Sequence, residues 1–298
     1  METVKKKKIA KNNPNQFRIY PIKKQEDFIK MPKQLPAPYD ECVNKGGGNI
    51  IILGPPGSGK SIYLNNLILS EECFKDCFDG ATYCISPTIN HDLSSCYLKD
   101  AMDFIETEYS EELMKGIYQN ILSTPKEDRG LSLILLDDCL DQFKSHRDFI
   151  SKVTATIRHI QTVAIFSLQR LKGIPSGLRA NTTVSVVYYI PSHKEYKQIE
   201  EFHSFFGGEQ NFAEHYTSAT SIKYGCLVCD FRNLRLYAHG ADRAKPELLW
   251  AKYNDDGSAW SEAPPNADTI NDNTTRAESR KDKTNENTKI RKGKKKYN

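Results

Sequence analysis

No stretch of the 298 residues approaches the roughly 18 consecutive apolar positions that a membrane-spanning helix requires, so no membrane partner is expected. No secretory leader is recognisable either, since the chain opens Met-Glu-Thr-Val and runs straight into Lys5 to Lys8. The eight cysteines are therefore expected as thiols in a reducing, cytosolic-type compartment rather than as disulfides. Cys226-Leu-Val-Cys229 has metal-ligand spacing, but no second Cys-x-x-Cys and no paired histidine follows at a suitable distance. Cys73 and Cys77 lie far upstream on a helix-like segment, and alternate strand positions explain Cys226 and Cys229 more simply than zinc does. A strong charge of one sign is missing too. The net charge of +4 does not announce a nucleic-acid binder, although Lys and Arg gather at the two ends. The length suits one large domain or two small ones.

What is present is organised around IIILGPPGSGKS, residues 50–61. The apolar run Ile50 to Leu53 drops into Gly54-Pro55-Pro56-Gly57-Ser58-Gly59-Lys60-Ser61 and then into a helix-like segment, Ile62 to Leu69. Every position of the P-loop pattern G-x-x-x-x-G-K-[ST] is met. Successive backbone N–H groups in such a loop wrap a triphosphate, and the glycines allow close approach because they lack a Cβ. Lys60 would reach the β- and γ-phosphates, the Ser61 hydroxyl would sit on Mg²⁺, and the helix N-terminus would face the phosphates. The stretch implies a bound nucleoside triphosphate with Mg²⁺.

Residues 1–16 are basic and Asn-rich and read as a disordered arm, with FRIYPI (residues 17–22) as an edge strand. Three prolines and Gly46-Gly47-Gly48 make residues 31–48 a linker. Further strands are expected at 81–86, 131–136, 162–168 and 183–190, and helices at 111–122, with Ser110 as N-cap, and 148–158. Strands separated by helices imply an α/β fold with a mostly parallel central sheet and helices on both faces. A helix over 195–206 and a hairpin of 224–230 with 234–237 follow. The division is a basic arm, edge strand and linker (1–44), a nucleotide-binding domain with a C-terminal hairpin (45–253), and a disordered basic tail (254–298). The two basic ends could tether DNA electrostatically or only confer solubility.

LSLILLDD, residues 131–138, is a buried strand ending in two carboxylates. Asp137 fits the residue that helps hold Mg²⁺ and Asp138 the one that polarises an attacking water, though the two roles could be exchanged. Gln169 ends the strand VAIFSL, and ligands of open α/β sheets lie beyond such strand ends. It could bond both a γ-phosphate and the attacking water. Among Arg158, Arg170 and Arg179, Arg179 in the Pro/Gly-rich IPSGLRANTT is preferred as an arginine that reaches a neighbouring subunit's γ-phosphate, with Arg170 second.

The order GPPGSGKS, LILLDD, Arg158-His159, IFSLQ and LRANTT, spanning residues 45–205, resembles the DNA-packaging ATPases of large DNA viruses. These are the poxvirus-type branch of the FtsK–HerA superfamily of RecA/ASCE-like P-loop NTPases, found also in virophages. The resemblance implies a homo-oligomeric ring, a hexamer or pentamer, that pumps double-stranded DNA into a preformed capsid, with capsid or portal proteins as further partners. It implies ATP and Mg²⁺ as cofactors, phosphate and Mg²⁺ binding by Lys60 and Ser61, an acidic pair in Asp137 and Asp138, a sensor in Gln169 and a trans arginine finger in Arg179. His159 matches a family position whose role the residues do not explain; packing under the sheet is the simple alternative. The place of action implied is the host cytoplasm at a virus factory, or the virion. Competing readings are a helicase or AAA-type remodelling ATPase, a nucleotide or small-molecule kinase with a basic lid, and a nucleotide-gated switch.

Overall fold

Strands with no polar stripe have to be buried on both faces, and four of them form the centre of the sheet. They are β1 (Gly47–Leu53), β4 (Ser132–Asp137), β5 (Thr162–Leu168) and β6 (Thr182–Tyr188), and every residue in each is buried. The structure, a computed structural model, describes residues 35–91, 96–139, 147–240, 243, 245–255 and 257–259. The described residues up to Gly257 belong to one compact unit. Among them the sheet has nine strands in the order β3-β2-β4-β5-β1-β6-β7-β8-β9. Here β2 is Thr82–Ile85, β3 Phe104–Glu106, β7 Gly225–Asp230, β8 Arg235–Gly240 and β9 Glu247–Ala251. The strands β1 to β6 run parallel, while β7, β8 and β9 extend the sheet in antiparallel fashion. The expected α/β architecture is present.

Alternation along β1 divides the interior. Ile50 and Ile52 pack with Leu64, Leu67 and Ile68 of α2 (Lys60–Leu69), on one face of the sheet. Ile51 and Leu53 pack on the other face, where four helices meet the sheet. These are α4 (Glu111–Ser123) through Ile117, α5 (Arg147–Thr156) through Val153, α7 (His193–Phe202) through Ile199 and α8 (Glu209–Ala219) through Phe212. Each such apolar side chain contributes about 1.5–3 kcal/mol by leaving water. Ser110 caps α4 as expected, its hydroxyl accepting from Leu113 N at 3.0 Å.

Asn49 is the polar exception inside β1. Fully buried, it donates through Nδ2 to the carbonyls of Thr154 at 2.9 Å and Asn181 at 2.8 Å, joining three segments that are remote in sequence. At the far end of the β7–β8 hairpin, Asp230 accepts from the backbone N–H groups of Arg232 and Asn233 and fixes the turn. Arg232 then donates to the carbonyls of Glu41 at 2.5 Å and Gly47 at 2.8 Å, at the start of β1.

Several expectations need correction. The linker assigned to 31–48 stops short: residues 40–44 form α1 (Asp40–Asn44), Gly47 and Gly48 belong to β1, and Tyr39 and Cys42 are wholly buried. Gly47, at φ 132, lies where a Cβ would sit 2.2 Å from the Thr162 carbonyl oxygen, so close strand approach explains that glycine better than linker flexibility. The Pro/Gly-rich segment around Arg179 contains a short helix, α6 (Ser176–Ala180). The helix expected to reach Phe206 ends at Phe202, and α8 and β9 were not anticipated. Cys226 and Cys229 are buried in the cores on opposite faces of the sheet, so strand position accounts for both. Among the described residues no group of His, Cys, Asp or Glu side chains is arranged to hold a metal ion by itself, and no helix is long and apolar enough to cross a membrane. The edge strand of residues 17–22 and the tail from 260 onward lie outside the described residues.

Candidate nucleotide site

Strand register places the site. Leu53 of β1 pairs with Leu168 of β5 and Val187 of β6, while Asp137 of β4 pairs with Ser167 of β5. The P-loop that follows Leu53, the pair Asp137-Asp138 and Gln169 therefore emerge at one carboxyl edge of the parallel strands, where open α/β sheets bind ligands.

Gly54 to Gly59 form the loop between β1 and α2. Gly57 at φ 75 and Gly59 at φ 102 are left-handed, a backbone that glycine adopts without steric cost. Gly54 admits no side chain: a Cβ would meet Ser58 Oγ at 2.6 Å and Tyr188 Cβ at 2.9 Å. Gly59 is the N-cap of α2, and no side chain caps that helix. Its first N–H groups are thus left for an anion, as a phosphate cradle requires. Ser58 Oγ is buried without a hydrogen-bond partner, a second polar group in the loop that a phosphate oxygen would satisfy. Lys60, mostly buried, donates from Nζ to the Pro55 carbonyl at 3.1 Å. Burial lowers its pKa, while Asp138 and Asp137 work to keep it charged. Ser61 is the second residue of α2 and half-buried.

Asp137 is buried at the end of β4 and accepts from Ser86 Oγ at 3.1 Å. Burial raises its pKa; the Ser167 hydroxyl opposes this, Asp138 adds to it, and Ser86 and Lys60 also lower it. Asp138 has φ 53, uncommon for a residue with a side chain, and its N–H continues the ladder to Ser167 O at 3.0 Å. Exposed Gln169 donates from Nε2 to Asp138 Oδ2 at 3.3 Å. Lys60, Asp137, Asp138 and Gln169 are thus brought together. The loop could cradle a triphosphate, and the Ser61 hydroxyl with the Asp137 carboxylate is an oxygen donor set that would suit Mg²⁺.

The arginines part company. Arg170 is exposed on the P-loop edge, next to Gln169. Arg179 is exposed in α6, just before β6 begins, at the opposite end of the parallel strands. It lines an open cleft of about 510 Å³ with Phe202, Phe205, Phe231 and Leu234. Arg158 and His159 follow α5 at that same opposite end. His159 is exposed rather than packed under the sheet, and its carbonyl accepts from Arg129 Nη1 at 3.2 Å.

Sequence reasoning missed Ser86, which holds Asp137 from the end of β2, and the tyrosines beside the P-loop, Tyr188, Tyr189 and Tyr224. Ser86 could be found only by knowing that β2 adjoins β4, which the sequence does not state.

The chain is similar in structure to the DNA-packaging ATPase B204 from Sulfolobus Turreted Icosahedral Virus, at 15% identity over 64% of this chain and 96% of that one, with a TM-score of 0.48. It is also similar to the cytoplasmic domain of the Thermomonospora curvata Type VII secretion ATPase EccC, at 14% identity over 66% of this chain and 26% of that one, TM-score 0.46. A third likeness is to the pCW3 conjugation coupling protein TcpA, at 12% identity over 71% and 62% of the two chains, TM-score 0.44. No curated protein matches the sequence. A family described as "Poxvirus A32 protein" matches residues 40–214, which include the P-loop, the acidic pair, Gln169 and Arg179. With more than half of its length covered by that match and its site built as described, the chain is a P-loop α/β protein that belongs to the poxvirus A32 family.

Proposed function

We propose that the protein is an ATPase that drives double-stranded DNA into a preformed viral capsid. The observation that carries the catalytic half is the convergence of Lys60, Asp137, Asp138 and Gln169 at one edge of the sheet. Family membership and the motif order it shares with packaging ATPases support the DNA-translocating half.

The loop N–H groups and Lys60 bind the phosphates, and Ser61 and Asp137 would hold Mg²⁺, which would supply positive charge to the phosphates. Asp138 orients water for in-line attack on the γ-phosphate, and Gln169 fixes the Asp138 carboxylate through its hydrogen bond. With its amide also bonding the γ-phosphate and the attacking water, Gln169 would sense whether that phosphate is present. Arg179, at the far end of the strands, is out of reach of its own P-loop and exposed, which supports service to a neighbouring subunit in a ring. Basic residues of the ring grip the DNA backbone without reading bases. Capsid or portal proteins complete the assembly, in the cytoplasm of the infected cell or in the virion.

The test is ATP hydrolysis with and without double-stranded DNA, using Lys60→Ala as control. DNA-stimulated turnover that vanishes in the variant supports the motor. Turnover indifferent to DNA favours a remodelling ATPase or a kinase. Arg179→Ala should leave ATP binding intact and lower turnover by about 10³- to 10⁵-fold, and retained turnover refutes the trans role.

A further inference from the structure

The acidic pair and Gln169 stand at the ends of β4 and β5, on one side of the P-loop strand. A triphosphate whose γ end faces them must run its nucleoside toward the other side, where β6 ends and β7 begins. An open cleft of about 450 Å³ lies there, lined by Pro56, Gly57, Tyr188, Tyr189, Lys223 and Tyr224, among others. Its size is within the roughly 300–1,000 Å³ of small-molecule pockets.

The walls of this cleft are unusual. Among the described residues nine large hydrophobic side chains are exposed, and three of them, Tyr189 (60%), Tyr224 (47%) and Ile222 (38%), line it. Tyr224 has φ 64, a strained backbone for a bulky residue and of a kind that gathers at functional sites. Its ring lies against the P-loop, with Cδ1 3.3 Å from where a Cβ on Gly59 would stand. Lys223 Nζ sits 4.9 Å from the centre of the same ring. The hydroxyls of Thr220 and Ser221 donate to the carbonyls of Tyr216 and Ser218, both at 2.8 Å, and so are already engaged within the chain. The wall therefore offers aromatic surface and a cation immediately beside the phosphate loop.

We propose that this cleft is the nucleoside subsite, with Tyr224 and Tyr189 giving the aromatic faces on which a purine base stacks and Lys223 holding the Tyr224 ring in place. The inference rests on the nucleoside-triphosphate reading of the P-loop.

The test separates base from phosphate. Binding of ATP and of inorganic tripolyphosphate is measured for the full chain and for Tyr224→Ala, Tyr224→Phe, Tyr189→Ala and Lys60→Ala. Stacking on one aromatic ring corresponds to about 5- to 150-fold in affinity. Tyr224→Ala should therefore weaken ATP by that factor and leave tripolyphosphate unchanged, Tyr224→Phe should bind both normally, and exposed Tyr189→Ala should repeat the ATP-selective loss. Unchanged ATP affinity in both alanine variants overturns the proposal. Equal loss of ATP and tripolyphosphate also overturns it, making Tyr224 a support for the loop. If Lys60→Ala binds both ligands as well as the parent chain, the phosphate-loop reading itself fails, whatever the tyrosine variants do.

Discussion

Acidification should destabilise the domain through one buried imidazole. His203 is wholly buried where α7 ends, stacked on Phe212 at 4.8 Å between ring centres. Its Nδ1 lies 2.7 Å from the Ile199 carbonyl, which can only accept, so Nδ1 carries the hydrogen. Nε2 is then the acceptor for Ser185 Oγ at 2.7 Å, across to β6. Burial holds the His203 pKa down at about 4, against an ordinary value of 6.5, with the Ile199 carbonyl pulling weakly the other way. Between these two values the unfolded chain binds the extra proton and the folded chain does not, so stability falls as pH drops through that window. At about 1.4 kcal/mol per pH unit the full loss is about 3 kcal/mol, of which about 2 kcal/mol is gone between pH 7 and pH 5. Urea unfolding at a series of pH values reads the stability, and the His203 imidazole resonance in the folded protein reads the protonation. A ring that protonates near pH 6.5 while the domain stays folded would refute the reasoning outright, because it would mean that burial and the fixed tautomer cost nothing.

Two substitutions probe the site and its frame. Gln169→Ala should keep ATP affinity and lower turnover by about 10²- to 10³-fold, since it frees Asp138 from its only side-chain hydrogen bond among those described; single-turnover kinetics check this, and undiminished turnover would make Gln169 a surface residue. Asn49→Ala should destabilise the domain by about 3 kcal/mol, because two carbonyls lose a buried donor, and thermal or urea unfolding would detect a smaller effect if water takes its place.

The phosphate loop was legible because its residue types have no substitute: glycine where φ is positive, lysine and serine at fixed offsets. The acidic pair and Gln169 were legible because each ends an apolar run, so the strand and its last residue are read together. What the sequence hides is adjacency. Ser86 meets Asp137 only because β2 lies beside β4, and Tyr224 meets Gly59 only because an antiparallel hairpin continues the parallel sheet past β6. The helix α8 carried a signal, with Phe212, Tyr216 and Ala219 spaced along one buried face, but its polar majority masked it. Residues 40–48 misled because three successive glycines suggest flexibility, whereas two of them serve close strand packing.

The clamp that Arg232 places on the carbonyls of Glu41 and Gly47 spans 191 and 185 positions of sequence. Contacts so distant along the chain close late, since nearly the whole domain has to be in hand before they can form. On a ribosome the strand leading into the phosphate loop is made early and can pair with β5, yet the Glu41 and Gly47 carbonyls acquire their arginine donor only after the β7–β8 hairpin has emerged. Chains cut short of residue 232 would carry every phosphate-binding residue and still lack this restraint, so an intact P-loop motif in a truncated product is no guarantee of a fully anchored strand beneath it.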